Sequence, residues 1–514
     1  MKKIFCLFIC VIILLSACGK KEAPDKDGSA EGNNGGTIGG SEPTGKPESE
    51  TDMPPNIELA RPDVLNPDNG ERKLVLVNYY LGTGDRTREH TMLTRLINSF
   101  TELYPHVSIN ELNFYHPTLY TEYIDNLFYD PDSDEALNPP DIIMLADLMK
   151  IFDKKIENRF TDIYELMYAD LDFVLTDYFY NIFEALSVNN KLPVYPRFFK
   201  NNVMTINDSA PEYLKQLHSE EQSVNAFNML ALWEQTPDFY FYEGFLPKDM
   251  AMDLFCGFFD MKKSICDFEN DLFINAMERS FKAANPLLFD KAYLLQQASQ
   301  LELMQRNFLT KKALEKNSET YLFNRTAINY VQFLLPTEKY DGFFFHEPKF
   351  LNDLSGQILL EDVEGWCIME ESAEKELAWE FLKYITAAVS YPYYIDLVPG
   401  EYIMLDEPPS HDRLSVKKSV AYNQLLVMTA EIAKNSYSLD RFNAIPDVRE
   451  LLDELEDIIS QLADAPININ FLQNTINPVI NEKLDEIFDN FYLGEINASH
   501  VALQLQELLE PFLP

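Results

Sequence analysis

The chain contains few basic residues and few histidines. Its 514 residues hold 42 Lys and Arg against 83 Asp and Glu, a formal net charge of −41, and seven His. A field of that sign repels nucleic acid and anionic lipid, so we expect neither as a direct partner. The histidines form no HExxH pair, Gly82-Thr83-Gly84 lacks the third glycine of a dinucleotide motif, and no GxSxG elbow occurs. We therefore expect no metal, no cofactor and no catalytic group of these kinds.

Aromatic residues are missing from a long N-terminal stretch. None occurs between Phe8 and Tyr79, and eight of the 18 glycines fall between Gly19 and Gly45. Such a segment cannot bury enough apolar surface to offset its ordering entropy. We predict a disordered tether over residues 18–72, with a root-mean-square span of roughly 40 Å.

The first 18 residues have the order of a secretory signal. Lys2 and Lys3 precede the apolar run Ile4–Leu15, which is too short to span a bilayer. The ending Leu15-Ser16-Ala17-Cys18 resembles the lipobox of bacterial lipoproteins, in which the cysteine thiol receives a diacylglycerol. We predict a signal peptide over 1–17, lipidation at Cys18, and attachment to the extracytoplasmic face of the cell membrane through lipid only.

Three cysteines follow Cys18, so they cannot all pair within one chain. Cys256 and Cys266 could form a disulfide, and Cys367 would then be left over. Buried free thiols are the open alternative.

The body of the chain, residues 73–514, alternates strand and helix patterns. Lys73–Val77 and Asp141–Leu145 are apolar runs typical of strands buried on both faces. Between them, apolar residues at helical spacing over Leu93–Leu103 precede Val107 and Ile109, which alternate as a strand would. This order predicts an α/β fold with a mostly parallel sheet. The C-terminal half favours helices over Lys375–Ile385, Val479–Phe491 and Val501–Phe512.

Several short motifs follow one another in a family-specific order. Tyr104-Pro105-His106-Val107 and Pro140-Asp141-Ile142-Ile143 come first, and Lys191-Leu192-Pro193-Val194-Tyr195-Pro196 follows. Gly365-Trp366-Cys367-Ile368 leads into Lys375–Leu382, and Leu493-Gly494-Glu495 stands near the end. In this order the motifs resemble the family 1 extracellular solute-binding proteins of ABC importers, the branch that includes the maltose-binding protein.

The resemblance implies a two-lobed, type II periplasmic-binding-protein-like fold with a ligand cleft between α/β lobes. The implied lobes are residues 73–196 with 365–440 and residues 197–364 with 441–514. It also implies that a monomer captures a carbohydrate or similar solute and delivers it to ABC permease subunits.

At the positions where members of that family touch their ligands, this chain has aromatic and polar residues. Aromatic faces can stack on sugar rings, while carboxylates, amides and cations bind hydroxyl groups. The candidate ligand-binding residues are Tyr79, Tyr80, Asp147, Arg197, Phe199, Lys200, Tyr330, Gln332 and Trp366. We interpret Trp379, which lies in a helical apolar pattern, as a core residue instead.

Two other functions remain open from the sequence. A surface lipoprotein glycosidase would need a pair of carboxylates, which 83 acidic residues could supply although no pair is marked. A lipoprotein of the same fold could also pass its ligand to a sensor kinase rather than to a permease.

Overall fold

The structure is a computed structural model of the full chain, in which Leu59–Pro514 form one compact unit. It describes residues 65–67, 70–80, 86–156, 158–207, 210–220, 224–235, 240–242, 252–255, 257–283, 321–327, 345–387, 392–398, 401–406, 413–422, 424–425, 448–472, 475 and 477–514. The predicted signal peptide and Cys18, together with nearly all of the predicted tether, lie outside these residues.

Most strands of the described chain belong to one sheet. In chain order the strands are β1 (Arg72–Tyr79), β2 (Val107–Phe114), β3 (Ile142–Met144), β4 (Tyr195–Asn207), β5 (Tyr240–Tyr242), β6 (Phe259–Asp260), β7 (Ile265–Cys266), β8 (Tyr321–Ala327), β9 (Phe345–Phe350), β10 (Ile358–Ile368), β11 (Pro392–Val398), β12 (Glu401–Asp406), β13 (Leu414–Ser415) and β14 (Ile467–Ile469). The sheet has the order β2-β1-β3-β10-β4-β8-β5, with β13 and β9 paired to β4 and β14 paired to β10. Two hairpins, β6–β7 and β11–β12, are separate from it.

The α-helices of the described residues alternate with these strands along the chain. They are α1 (Arg86–Leu103), α2 (Pro117–Tyr129), α3 (Asp134–Leu137), α4 (Ile163–Ala169), α5 (Tyr180–Leu186), α6 (Glu212–Glu220), α7 (Ala226–Trp233), α8 (Asp271–Ala283), α9 (Lys375–Ala387), α10 (Val448–Asp464), α11 (Pro478–Tyr492) and α12 (Ala498–Leu509). Short 3-10 helices occupy Leu148–Phe152, Leu175–Asp177 and Glu510–Phe512. Within the described part of the chain, no helix is long and apolar enough to cross a membrane.

The N-terminal strand–helix–strand order predicted from the sequence is confirmed. β1 runs parallel to both β2 and β3 and lies between them. Its apolar residues Leu74, Leu76 and Val77 are all fully buried, as expected for a strand covered on both faces. Helix α1 packs beside α9, where the rings of Phe100 and Phe381 meet edge to face at 5.3 Å.

Two long strands connect this parallel region to the rest of the sheet. The first half of β4 pairs with β10 and β13, and its second half pairs with β8 and β9. Strand β10 begins beside β14, continues beside β4 and ends beside β3. Every antiparallel pairing among the described strands of this sheet involves β4 or β10, and the remaining pairs are parallel. We call β4 and β10 the crossover strands.

Gly365 allows β10 to pack closely against its neighbours. A Cβ at this position would lie 2.4 Å from Val194 Cγ2 and 3.0 Å from Leu148 Cδ2, distances that real side chains avoid. The Gly365 carbonyl accepts a hydrogen bond of 2.8 Å from the Leu145 amide, just beyond β3. Three residues earlier, Asp362 adopts a positive φ of 47° where the register of β10 against β4 shifts. The two crossover strands therefore pair with a bulge at Asp362, and Gly365 lets β10 approach Val194 and Leu148 closely.

The C-terminal helices lie where the sequence predicts them. The Asn477 side chain accepts hydrogen bonds from the amides of Val479 and Ile480 and so caps α11. Gly494, with φ of +75°, follows the end of that helix. Trp379 is 3 % exposed in α9, which confirms its interpretation as a core residue.

Two of the three downstream cysteines lie in described residues. Cys266 and Cys367 are free thiols, and burial raises the pKa of Cys266 to about 12 and that of Cys367 well above its usual range. Cys256 lies outside the described residues.

Candidate functional site

The carboxyl ends of β1 and β2 bring four tyrosines together. The Tyr80 amide donates to the Phe114 carbonyl at 3.0 Å, so both strands end at the same edge. The ring of Tyr79 lies 5.0 Å from that of Tyr120, and Tyr80 stacks on Tyr115 with ring centroids 5.4 Å apart. We call Tyr79, Tyr80, Tyr115 and Tyr120 the tyrosine cluster. Tyr79 and Tyr80 were predicted site residues, whereas Tyr115 and Tyr120 were not selected from the sequence.

Tyr120 fixes the loop that follows β3. Its hydroxyl donates to the Met144 carbonyl at 2.6 Å and accepts from the Ala146 amide at 3.3 Å. Burial raises the pKa of this phenol far above its ordinary range, so it remains a neutral donor. The loop over residues 145–147 is therefore anchored to the tyrosine cluster.

Asp147, a predicted site residue, lies at the end of that loop. Its carboxylate accepts from the Met149 amide at 3.2 Å, and Thr475 lies near enough to lower its pKa. It is 7 % exposed, and burial raises its pKa, opposed chiefly by nearby Lys150. Thr475 belongs to the segment after β14, whose Phe471 ring packs edge to face on Phe152 at 5.0 Å. The loop after β3 therefore meets a segment more than 300 residues further along the chain.

Arg197 and Trp366 converge on Glu364, a residue that was not selected from the sequence. Glu364 Oε1 accepts from Trp366 Nε1 at 2.8 Å and from an Arg197 guanidinium nitrogen at 3.2 Å, and its second oxygen lies 3.5 Å from a guanidinium nitrogen of Arg413. Arg197 also donates to the Ile385 carbonyl at 3.1 Å and lies over the Phe198 ring at 4.4 Å. We call Glu364, Arg197, Arg413 and Trp366 the crossover cluster. Its members lie on or beside the crossover strands.

Phe199 and Lys200 lie further along β4 and point in different directions. Phe199 is fully buried and packs edge to face on Phe179 at 5.4 Å. Lys200 is partly exposed, with its ammonium 3.7 Å from an Asp362 carboxylate oxygen. Tyr330 and Gln332 lie outside the described residues.

The end of β3 is the point at which most predicted site residues come together. Met144 of β3 pairs with Trp366 of β10, and its carbonyl accepts a hydrogen bond from the Tyr120 hydroxyl. The tyrosine cluster, Asp147 and the crossover cluster therefore all adjoin this strand end. Sites in α/β sheets form at such carboxyl ends. Tyr79, Tyr80, Tyr120 and Trp366 are buried here. Together the groups comprise aromatic rings, hydroxyls, guanidinium groups and the carboxylates of Asp147 and Glu364, residue types that suit recognition of a hydroxylated ring.

Comparison with known proteins gives structural matches only. No family model matches the chain, and no curated protein sequence does. A family 1 extracellular solute-binding protein from Alicyclobacillus acidocaldarius aligns with 86 % of this chain and 99 % of its own, at 10 % identity and a TM-score of 0.48.

Two other matching structures are a protein named for sugar binding and a protein solved with cycloalternan. The sugar-binding protein MalE from Xanthomonas citri aligns with 86 % of this chain and 97 % of its own, at 12 % identity and a TM-score of 0.47. An ABC substrate-binding protein from Listeria monocytogenes, solved with cycloalternan, covers 86 % and 99 % at 12 % identity and a TM-score of 0.45. These structures are of the class that the sequence motifs resemble. The described strands form one large sheet accompanied by helices, which agrees with the α/β fold class predicted from the sequence.

Proposed function

We propose that this chain is a lipid-anchored, extracytoplasmic solute-binding protein that captures a carbohydrate or similar solute and delivers it to an ABC permease. In this proposal the protein acts as a monomer, and its chemistry is recognition without catalysis. The predicted lobes, residues 73–196 with 365–440 and residues 197–364 with 441–514, would close on the solute.

One observation carries the proposal. The loop after β3 is bonded at one end to the tyrosine cluster, through the Tyr120 hydroxyl, and at the other its Asp147 carboxylate lies near Thr475, which lowers the carboxylate's pKa. This contact joins two distant parts of the chain beside the crossover strands. A solute bound there would touch both predicted lobes, and a protein that closes on its ligand needs such a site.

The N-terminal sequence supports the location. A lipidated Cys18 followed by a flexible tether would hold the body near the membrane while leaving it free to meet a permease. The net charge of −41 would keep the body away from anionic headgroups.

The test is thermal unfolding of the full chain in detergent, with neutral oligosaccharides, sugar acids, peptides and polyamines as probes. A solute that binds only the folded state stabilises it by about 2.7 kcal/mol at a hundredfold excess over its dissociation constant. We expect one sugar class to raise the melting temperature, with the sugar recovered intact.

The alternatives predict different outcomes. Recovery of cleaved sugar would replace the proposal with a surface glycosidase. Absence of stabilisation by every probe would contradict capture of such solutes. Co-purification with permease or kinase subunits tests the delivery step. If a sugar stabilises the chain and the chain co-purifies with a sensor kinase, delivery to a permease is contradicted.

A further inference from the structure

A cavity of about 360 Å³ lies away from the tyrosine cluster. It is bordered by α5, the β6–β7 hairpin and β14 with the residues that follow it. We call it the hairpin cavity; its lining includes Ala185, Phe255, Phe259, Gln357, Asn468 and Asn470. None of the seven predicted ligand-binding residues that the structure describes lines it. Its volume is at the lower end of the range of small-molecule sites.

Aromatic rings provide the apolar part of the lining. Phe255 precedes the β6–β7 hairpin, Phe259 is the first residue of β6, and Phe471 follows β14. Phe255 is held edge to face by Phe268 at 4.8 Å and by Phe488 at 5.5 Å. Phe471 is held by Phe152. The rings are therefore fixed before any ligand arrives, which reduces the entropy lost on binding.

Amide side chains provide the polar part. Gln357, Asn468 and Asn470 all line the hairpin cavity. The Asn468 amide nitrogen donates to Asp353 at 2.8 Å, and Asp353 also accepts from the backbone of Ser355 and Gln357. This network sets the orientation of the Asn468 amide. Carboxamides both donate and accept, as a molecule rich in hydroxyl groups requires.

The charged groups at the cavity are engaged with the protein itself. Lys263 pairs with Asp260 at 2.5 Å, and the Lys262 ammonium donates to the Glu184 carbonyl at 2.7 Å. Because the ammonium and carboxylate groups already have protein partners, the lining favours a neutral ligand over an ion.

We propose that the hairpin cavity is a second binding site, which takes a neutral hydroxylated molecule the size of one or two sugar rings. The cavity lining shares no residue with the tyrosine cluster, Asp147 or the crossover cluster, and it adjoins Thr475, whose amide donates to the Leu472 carbonyl at 3.4 Å. Its lining comes from α5 in the N-terminal part of the chain and from the hairpin and β14 further on, so an occupant bridges these segments.

The test is hydrogen exchange of the full chain in detergent, resolved by peptide, with glucose, galactose, maltose, sucrose and trehalose as probes. We expect at least one probe to slow exchange over residues 259–263. Exchange over residues 145–147 reports the solute site separately. Protection at 145–147 without protection at 259–263 under any saturating probe overturns the second site and leaves the proposed function standing. Absence of protection at both overturns both.

Two variants assign the protection to the cavity. Ala185→Trp places a large side chain in the cavity and abolishes the slowed exchange at 259–263, whereas Ala169→Trp, on the exposed end of α4, leaves it unchanged. Gln357→Met replaces one amide by an apolar side chain of similar length. It should lower the affinity for the sugar probe about three- to tenfold, as loss of one hydrogen bond would. Unchanged affinity in both Ala185→Trp and Gln357→Met would overturn the assignment.

Discussion

The Glu364 carboxylate binds the guanidinium groups of Arg197 and Arg413 and the indole N–H of Trp366. Its side chain is 10 % exposed, and Arg197 and Arg413 beside it are 4 % and 13 % exposed. The carboxylate is thus the negative centre of a largely buried cluster. Removing it leaves guanidinium groups buried without their countercharge, which is costly.

Glu364→Gln is expected to lower the free energy of unfolding by about 3 kcal/mol. Urea denaturation of the full chain in detergent measures the change. Glu507→Gln, on the exposed face of α12, is the matched control and should stay within about 0.5 kcal/mol of wild type. Equal losses in the two variants would show that the crossover cluster does not stabilise the fold.

Asp147 provides a pH-dependent test at the same scale. Burial raises its folded-state pKa above the ordinary 3.8. The folded state therefore binds the proton more tightly than the unfolded state, and the resulting stability is lost as pH rises through the folded pKa. Asp147→Asn keeps a capping side chain and imitates the protonated form.

The variant is expected to gain stability relative to wild type as pH rises from about 3 to 7, measured by urea unfolding at each pH. A difference between variant and wild type that shrinks with rising pH would contradict the burial of this carboxylate.

At the scale of elements, the contact of β10 with its neighbours depends on Gly365. Gly365→Ala is expected to cost about 1–3 kcal/mol, because the added methyl group meets Val194 and Leu148. The measurement is the free energy of unfolding from urea denaturation. The double variant Gly365→Ala/Val194→Ala should lose less unfolding free energy than the two single variants lose together, because the smaller side chain at position 194 makes room for the added methyl group. Additive losses would contradict the close approach.

The sequence predicts the elements better than it predicts their connections. Apolar runs identify β1 and β3, which are buried on both faces, and helical spacing identifies α1, α9 and α11, which each bury one face. The crossover strands have no such signal. A strand that changes partners midway resembles any other strand in sequence, and the predicted lobe boundary between residues 196 and 197 falls inside β4. That boundary stays a prediction.

The candidate site shows the same limit. Tyr115 could have been selected, since it directly follows β2, whose carboxyl end meets that of β1 in a parallel pair. Glu364 could not, because a carboxylate in a strand has the pattern of a solvent-facing residue. Its partner Arg413 lies 49 residues away, and only tertiary contacts bring the two together.

At the scale of the whole molecule, the account depends on movement about the crossover strands. β4 and β10 are the described strands that join the parallel N-terminal region to the pairings of β8, β9 and β14. If these two parts are separate lobes, a bound solute should draw them together, since ligands shift such equilibria by differential affinity.

The most direct test is the distance between spin labels at Leu119→Cys on α2 and Leu272→Cys on α8, two exposed positions, in residues 59–514 carrying Cys256→Ser and Cys266→Ser. A label pair at Leu103→Cys and Leu119→Cys, within the N-terminal region, is the control. We predict that a sugar which raises the melting temperature shortens the first distance and leaves the control unchanged. An unchanged first distance under saturating sugar would contradict closure about the crossover strands.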